Sequence, residues 1–130
     1  MAKSPITCHV LDSSLGKPAE GVEIRLQDFT PASVGGLDTF NPLASGTTDA
    51  DGRCLNLLPA RDSTEAKELD AVLAPGIYKI VFRIKEYFEK TNRKCFYPWV
   101  EITFEIENAT EHYHIPLLIS PYSFTTYRGS

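Results

Sequence analysis

The chain has 130 residues, with 13 Lys and Arg against 17 Asp and Glu, and a formal net charge of −4. No basic cluster offsets that acidic balance, so nucleic acid is a poor partner, and no apolar run approaches the roughly 18 residues of a membrane span. The length suits a single domain over residues 1–130, able to bury about two-thirds of its unfolded surface without disulfides or a metal.

The first residues, Met1-Ala2-Lys3-Ser4-Pro5, contain no signal-peptide apolar core, so an unexported chain is expected. Cys8, Cys54 and Cys95 are odd in number and form no close CxxC pair. Free thiols in a reducing compartment follow, serving as core filler rather than as nucleophiles.

In chain order, Ile6 to Leu11 and Val22 to Leu26 read as strands separated by a Gly/Pro-punctuated turn. In the second, Val22, Ile24 and Leu26 alternate with Glu23, Arg25 and Gln27, the period of a strand with one face on a core. From Asp28 to Ser45 the residues turn to Pro, Ser, Gly, Thr and Asn, which predicts a long irregular loop, pinned at Phe40 or Leu43. Asp51-Gly52 marks a tight turn, followed by a strand over Arg53 to Leu57 with Arg53 at its mouth. Ser63 to Leu73 has helical propensity. Ile77 to Ile84 alternates as a strand, and Lys85 to Lys90 switches to a short helix. Trp99 to Ile106, Tyr113 to Ile119 and Ser123 to Tyr127 complete about eight strands. Such spacing predicts an all-β, two-sheet antiparallel sandwich with one short helix.

Few residues carry obvious chemistry. His9 sits in an apolar strand, and an imidazole exchanges protons near neutral pH; a strand histidine is also commonly structural. His112 and His114, two apart, share a strand face, but a zinc site needs a third ligand that the sequence does not space for, so no metal is expected. Arg53 after an Asp-Gly turn is by itself most often a solvated strand-end charge, but paired with histidines its rigid fork of donors would suit a planar, acceptor-rich ring or an oxyanion. The nucleophile-elbow, phosphate-loop and zinc-protease motifs are absent. The final Tyr127-Arg128-Gly129-Ser130 is dense in polar groups for a terminus, where chains normally fray.

Several segments together resemble one family. They are Thr7-Cys8-His9-Val10-Leu11-Asp12, Gly16-Lys17-Pro18-Ala19, Val22-Glu23-Ile24 and Thr47-Thr48-Asp49-Ala50-Asp51-Gly52-Arg53. The most specific is Tyr113-His114-Ile115-Pro116-Leu117-Leu118, continuing through Ser120-Pro121-Tyr122-Ser123 and Thr125-Thr126 into Tyr127-Arg128-Gly129-Ser130. Over almost its whole length the chain resembles the transthyretin-like proteins, and within them the 5-hydroxyisourate hydrolases of purine degradation. Fold likeness does not separate the hydrolases from the hormone-carrying branch. The resemblance to the hydrolases rests on His9, Arg53, His114 and the Tyr127 to Ser130 tail.

That resemblance implies opening of the 5-hydroxyisourate ring by water, without a metal or organic cofactor, in a homotetramer built as a dimer of dimers. It implies catalytic roles for His9, Arg53 and His114, and substrate binding by His9, Arg53, Tyr127, Arg128 and Ser130. One histidine would act as general base on water, and the other would orient it or return the proton. The tail would then form one pocket wall, completed by a neighbouring subunit. Only His114 matches the Tyr-His-x-Pro motif, so His112 is not carried over. The stretches Asp28 to Ser45 and Arg61 to Ala71 look longer than in compact family members. Neither nucleic acid nor membrane is an expected partner, and the cytoplasm is the expected compartment, with the peroxisome left open although Arg-Gly-Ser is not a Ser-Lys-Leu-type address. The rival readings are a non-catalytic transthyretin-type carrier of small molecules and a sandwich used only for protein contacts.

Overall fold

The computed structural model describes residues 4–59 and 73–129. The helical expectation over Ser63 to Leu73 falls, apart from Leu73, outside the described residues, as do the stretch Arg61 to Ala71 and Ser130. Among the described residues are nine strands and one helix: β1 (Ile6–Asp12), β2 (Lys17–Pro18), β3 (Glu23–Thr30), β4 (Thr39–Thr47), β5 (Arg53–Cys54), β6 (Gly76–Arg83), α1 (Ile84–Lys90), β7 (Val100–Ile106), β8 (Tyr113–Ser120) and β9 (Ser123–Thr126). One sheet has the order β2-β1-β8-β9, with β5 also paired to β1, and the other has the order β4-β3-β6-β7. The two-sheet sandwich expected from strand spacing is therefore the observed architecture.

Alternation builds the core between the sheets. Ile6, Cys8 and Val10 of β1 and Tyr113, Ile115, Leu117 and Ile119 of β8 point inward, opposite Ile24 and Leu26 of β3 and Ile80 and Phe82 of β6. Helix α1 follows β6 directly and buries Ile84, Tyr87 and Phe88, at helical i, i+3 and i+4 spacing. It stops at Thr91, with the next residue, Asn92, at φ 58°, a left-handed conformation that asparagine tolerates better than most side chains. Cys8 and Cys54 are buried register partners across β1 and β5, and burial pushes both thiols up, away from the reactive thiolate form.

Three local expectations are corrected. The predicted loop over Asp28 to Ser45 is mostly a hairpin, because β3 runs to Thr30 and pairs with β4 from Glu23↔Thr47 to Thr30↔Thr39. β4 is an edge strand facing water, so it lacks apolar alternation, and Pro42 is accommodated at the register shift after Leu26. Phe40 is pinned, 5.0 Å from the Phe29 ring and under the Lys79 ammonium at 4.1 Å, whereas Leu43 is exposed. The strand expected over Arg53 to Leu57 is only two residues long. Finally, one pair is not antiparallel. β1 and β8 run parallel, from Ile6↔Tyr113 to Asp12↔Ile119, which is possible because no hairpin joins them.

Asp12 anchors the end of β1. Its fully buried carboxylate accepts from the Arg93 guanidinium at 2.7 Å, the Tyr87 hydroxyl at 2.9 Å and the Ser14 hydroxyl at 2.6 Å. Burial by itself raises the carboxyl's affinity for a proton. The bonds from Arg93, Ser14, Tyr87 and the Leu15 N–H outweigh it and lower the pKa from 3.8 to about 2. Replacing Arg93 by Met leaves this charge buried without its counter-ion and is expected to cost about 3 kcal/mol at neutral pH. A depressed folded-state pKa contributes stability that is present above 3.8 and lost as pH falls towards about 2. Urea denaturation should therefore show wild type losing this contribution as pH falls from 3.8 towards about 2. Its gap to Arg93→Met begins to narrow at higher pH, because the uncompensated buried carboxyl protonates more readily, and closes by the low end of that range.

Candidate active site

The outer face of the first sheet carries the candidate residues. Since Cys8 and Val10 point into the core, Thr7, His9 and Leu11 point out, and since Ile115 and Leu117 point in, His114, Pro116 and Leu118 point out. The parallel register places Thr7 beside His114 and His9 beside Pro116, while the antiparallel pairing of β1 with β5 places His9 beside Arg53. The rings of His9 and His114 lie 6.5 Å apart, tilted by 40°. Three of the residues singled out in the sequence thus converge on one surface, from three strands of which β1 and β8 are more than a hundred positions apart.

The turn before β5 positions both Arg53 and His9. Asp49 Oδ1 accepts from the N–H groups of Asp51 and Arg53 at 2.9 and 3.0 Å, and the Gly52 carbonyl accepts from Val10 N–H at 2.7 Å. Gly52 has φ 75°, and a Cβ there would stand 2.3 Å from the Val10 carbonyl oxygen, so only glycine fits. Held in this way, the Asp51 carbonyl oxygen lies 2.9 Å from His9 Nε2. A carbonyl only accepts, so Nε2 carries the hydrogen and a neutral His9 presents its lone pair on Nδ1. The Arg53 guanidinium is about half exposed and its pair with Asp51, at 4.0 Å, is loose and solvated. Its donors are well placed to turn towards an acceptor-rich molecule.

His114 is gripped at two edges. Its Nδ1 lies 2.8 Å from Thr7 Oγ1, and the same hydroxyl lies 2.9 Å from His112 Nε2. On the other side Gly129 donates its N–H to the His114 carbonyl at 3.0 Å, and a Cβ on Gly129 would come within 2.6 Å of His114 Cδ2. The tail is clipped down next to this contact by Arg128, whose guanidinium lies 3.5 Å from Glu111 Oε1 and 4.6 Å from the Tyr113 ring centroid. Arg128 is therefore engaged with the strand that carries His114, while Tyr127 is exposed. Thr7, Gly129 and the involvement of His112 were missed from the sequence. The same-face spacing of Thr7 with His9 was a usable signal, but its meaning depended on knowing that β1 lies beside β8.

Among the described residues no group of three or more His, Cys, Asp and Glu is arranged to hold a metal ion. Likewise no helix among them is long and apolar enough to cross a membrane.

Fold and surface together define a transthyretin-like sandwich with a histidine and arginine site on the outer face of one sheet. The family model described as "HIUase/Transthyretin family" matches residues 6–129, and the chain belongs to that family. A 5-hydroxyisourate hydrolase of Mus musculus is 38% identical over 127 residues, covering 98% of this chain and 96% of that one. Among solved structures, 5-hydroxyisourate hydrolase of Klebsiella pneumoniae superposes with a TM-score of 0.73 at 30% identity, covering 98% and 94% of the two chains. Transthyretin from Sparus aurata superposes with a TM-score of 0.79 at 26% identity, covering 98% and 97%.

The bond from His9 to the Asp51 carbonyl has a direct spectroscopic consequence. Nitrogen-15 NMR of the neutral protein should show His9 with a protonated Nε2 and a bare Nδ1; the opposite tautomer would contradict this geometry.

Proposed function

We propose that this chain hydrolyses 5-hydroxyisourate to 2-oxo-4-hydroxy-4-carboxy-5-ureidoimidazoline, a step of urate degradation, without a metal or organic cofactor. The observation that carries this reading is the register that sets His9 beside Arg53 and His114 on the adjoining strand. Relatives bearing the hydrolase name match nearly the whole chain at higher identity than the Sparus transthyretin does. The superpositions alone do not separate catalyst from carrier, because both branches share the sandwich.

In the mechanism we assign, one imidazole takes a proton from water as the water oxygen bonds to the ring carbonyl carbon. The carbonyl oxygen gains negative charge, and Arg53 is the group able to stabilise it. When the carbon–nitrogen bond breaks, the departing nitrogen receives the proton back and a carboxylic acid remains, which gives its own proton to solvent and becomes a carboxylate. His9 has its Nδ1 lone pair for one of these tasks and His114 has Nε2 for the other. Tyr127, Arg128 and Ser130 bind substrate or order the pocket rim.

Residues 1–130 act as one domain in this reading, and four copies assemble as a dimer of dimers in the cytoplasm. Two features support the assembly. β9 is the last strand of its sheet and all four of its residues are exposed, Phe124 among them, which leaves an edge suited to pairing with another copy. The site face also mixes its polar groups with Leu11, Pro116 and Leu118, a composition suited to burial between subunits.

Turnover is followed by the ultraviolet absorbance of freshly generated 5-hydroxyisourate against its spontaneous decay. Substituting His9 or His114 by Ala should lower it by about 10² or more, and unchanged turnover in both variants would overturn the assignment. Gly129→Ala, which forces a Cβ against the His114 ring, should lower kcat/KM by about 10² through misplacement without shifting the unfolding midpoint.

A further inference from the structure

His112 lies one residue before β8 and outside the Tyr-His-x-Pro motif, yet it shares a hydrogen-bonding atom with His114. Thr7 Oγ1 is 2.9 Å from His112 Nε2 and 2.8 Å from His114 Nδ1. The two rings are nearly parallel, 17° apart with centroids separated by 6.5 Å, so both present a nitrogen to the same point. Thr7 is buried on this face, where a hydroxyl needs a partner. A hydroxyl has one proton to donate. It donates to one ring and accepts from the other, so the tautomers of the two histidines are complementary.

His9 has no equivalent arrangement. Its Nε2 ends on the Asp51 carbonyl, which accepts a hydrogen bond but does not hold a proton at neutral pH. A proton reaching His114 has an onward route through Thr7, whereas one reaching His9 stays there. We propose that His112 is a positioning residue for the hydrolytic reaction assigned above, on which this inference rests. Acting through Thr7, it keeps a proton on His114 Nδ1, leaves His114 Nε2 bare as the general base, and receives the proton displaced during attack.

The step balances without any co-reactant. Water gives a proton to His114 Nε2 as its oxygen bonds to the ring carbonyl carbon; the Nδ1 proton of His114 moves to Thr7 Oγ1 while the Thr7 proton moves to His112 Nε2. The three transfers reverse when the carbon–nitrogen bond breaks and the leaving nitrogen takes the proton from His114 Nε2. Charged and titratable neighbours surround the chain on each side. His9 faces His114 from β1, with Arg53 beside His9 on β5, and Glu111, which pairs with Arg128, directly precedes His112 in the chain.

The test compares Thr7→Val, Thr7→Ser, His112→Ala and His112→Gln with wild type in steady-state kinetics on 5-hydroxyisourate, with unfolding midpoints as the folding control. Thr7→Val and His112→Ala should lower kcat about tenfold or more with KM little changed, while Thr7→Ser, which keeps the hydroxyl, should stay near wild type. His112→Gln keeps a hydrogen bond to Thr7 but holds no extra proton, and should be as slow as His112→Ala. Nitrogen-15 NMR reads the same chain without substrate: His114 should carry its proton on Nδ1 in wild type and shift it to Nε2 in Thr7→Val. Wild-type kcat in Thr7→Val and His112→Ala, or a His114 tautomer insensitive to Thr7, would overturn the proposal. If wild type itself fails to accelerate the decay, the functional reading falls, and the NMR result still decides the hydrogen-bonded chain.

Discussion

Seven consecutive residue pairs join β1 to β8 in parallel, from Ile6 with Tyr113 to Asp12 with Ile119. Their inward side chains fill the core, and their outward ones include Thr7, His9 and His114. Because strand side chains alternate, a slip of one residue in either strand would turn histidine into the core and Cys8 or Ile115 into water. Burying the apolar set thus selects the register, and the register in turn selects which polar groups meet. The short β5 adds Arg53 to this row through a two-residue pairing, held by a turn that admits only glycine at position 52.

Both ends of this strand pair are anchored. At one, the buried Asp12 carboxylate ties β1 to Arg93 and Tyr87, so the strand cannot slide without stranding a charge. At the other, the tail returns over His114, with Gly129 N–H on the His114 carbonyl and Arg128 between Glu111 and Tyr113. The tail gives the site part of its shape because Gly129 has no side chain to clash with the imidazole. Histidines of a hydrolytic site gain from such confinement, since a ring held in one orientation presents the same nitrogen to every substrate molecule.

The sandwich was readable wherever alternation was strong, as in Val22 to Leu26, Ile77 to Ile84 and Trp99 to Ile106, because a strand with one wet face writes its period into the sequence. β4 was unreadable for the opposite reason. An edge strand exposed on most sides has no apolar face to display, and Pro42 at a register shift looks like a loop residue. Among the candidate site residues, His9, Arg53 and His114 were singled out through family resemblance, whereas composition alone gave only scattered polar residues. Their meeting on one face, and the link from His114 through Thr7 to His112, depend on a parallel pairing between residues more than a hundred positions apart. No local pattern encodes that contact. The same limit explains why the steric fit of Gly129 against His114 was not legible in the sequence.

The most direct measurement of the central claim is where a substrate-like molecule sits. Amide chemical-shift mapping of the full chain, titrated with a hydrolysis-resistant oxidised purine analogue, reports this without relying on turnover. The largest shifts are expected at Thr7, His9, Arg53, His114 and Gly129, with little change along β4-β3-β6-β7. Saturable binding that leaves those five residues unmoved, or that perturbs only the second sheet, would contradict a site on the outer face of β1, β5 and β8.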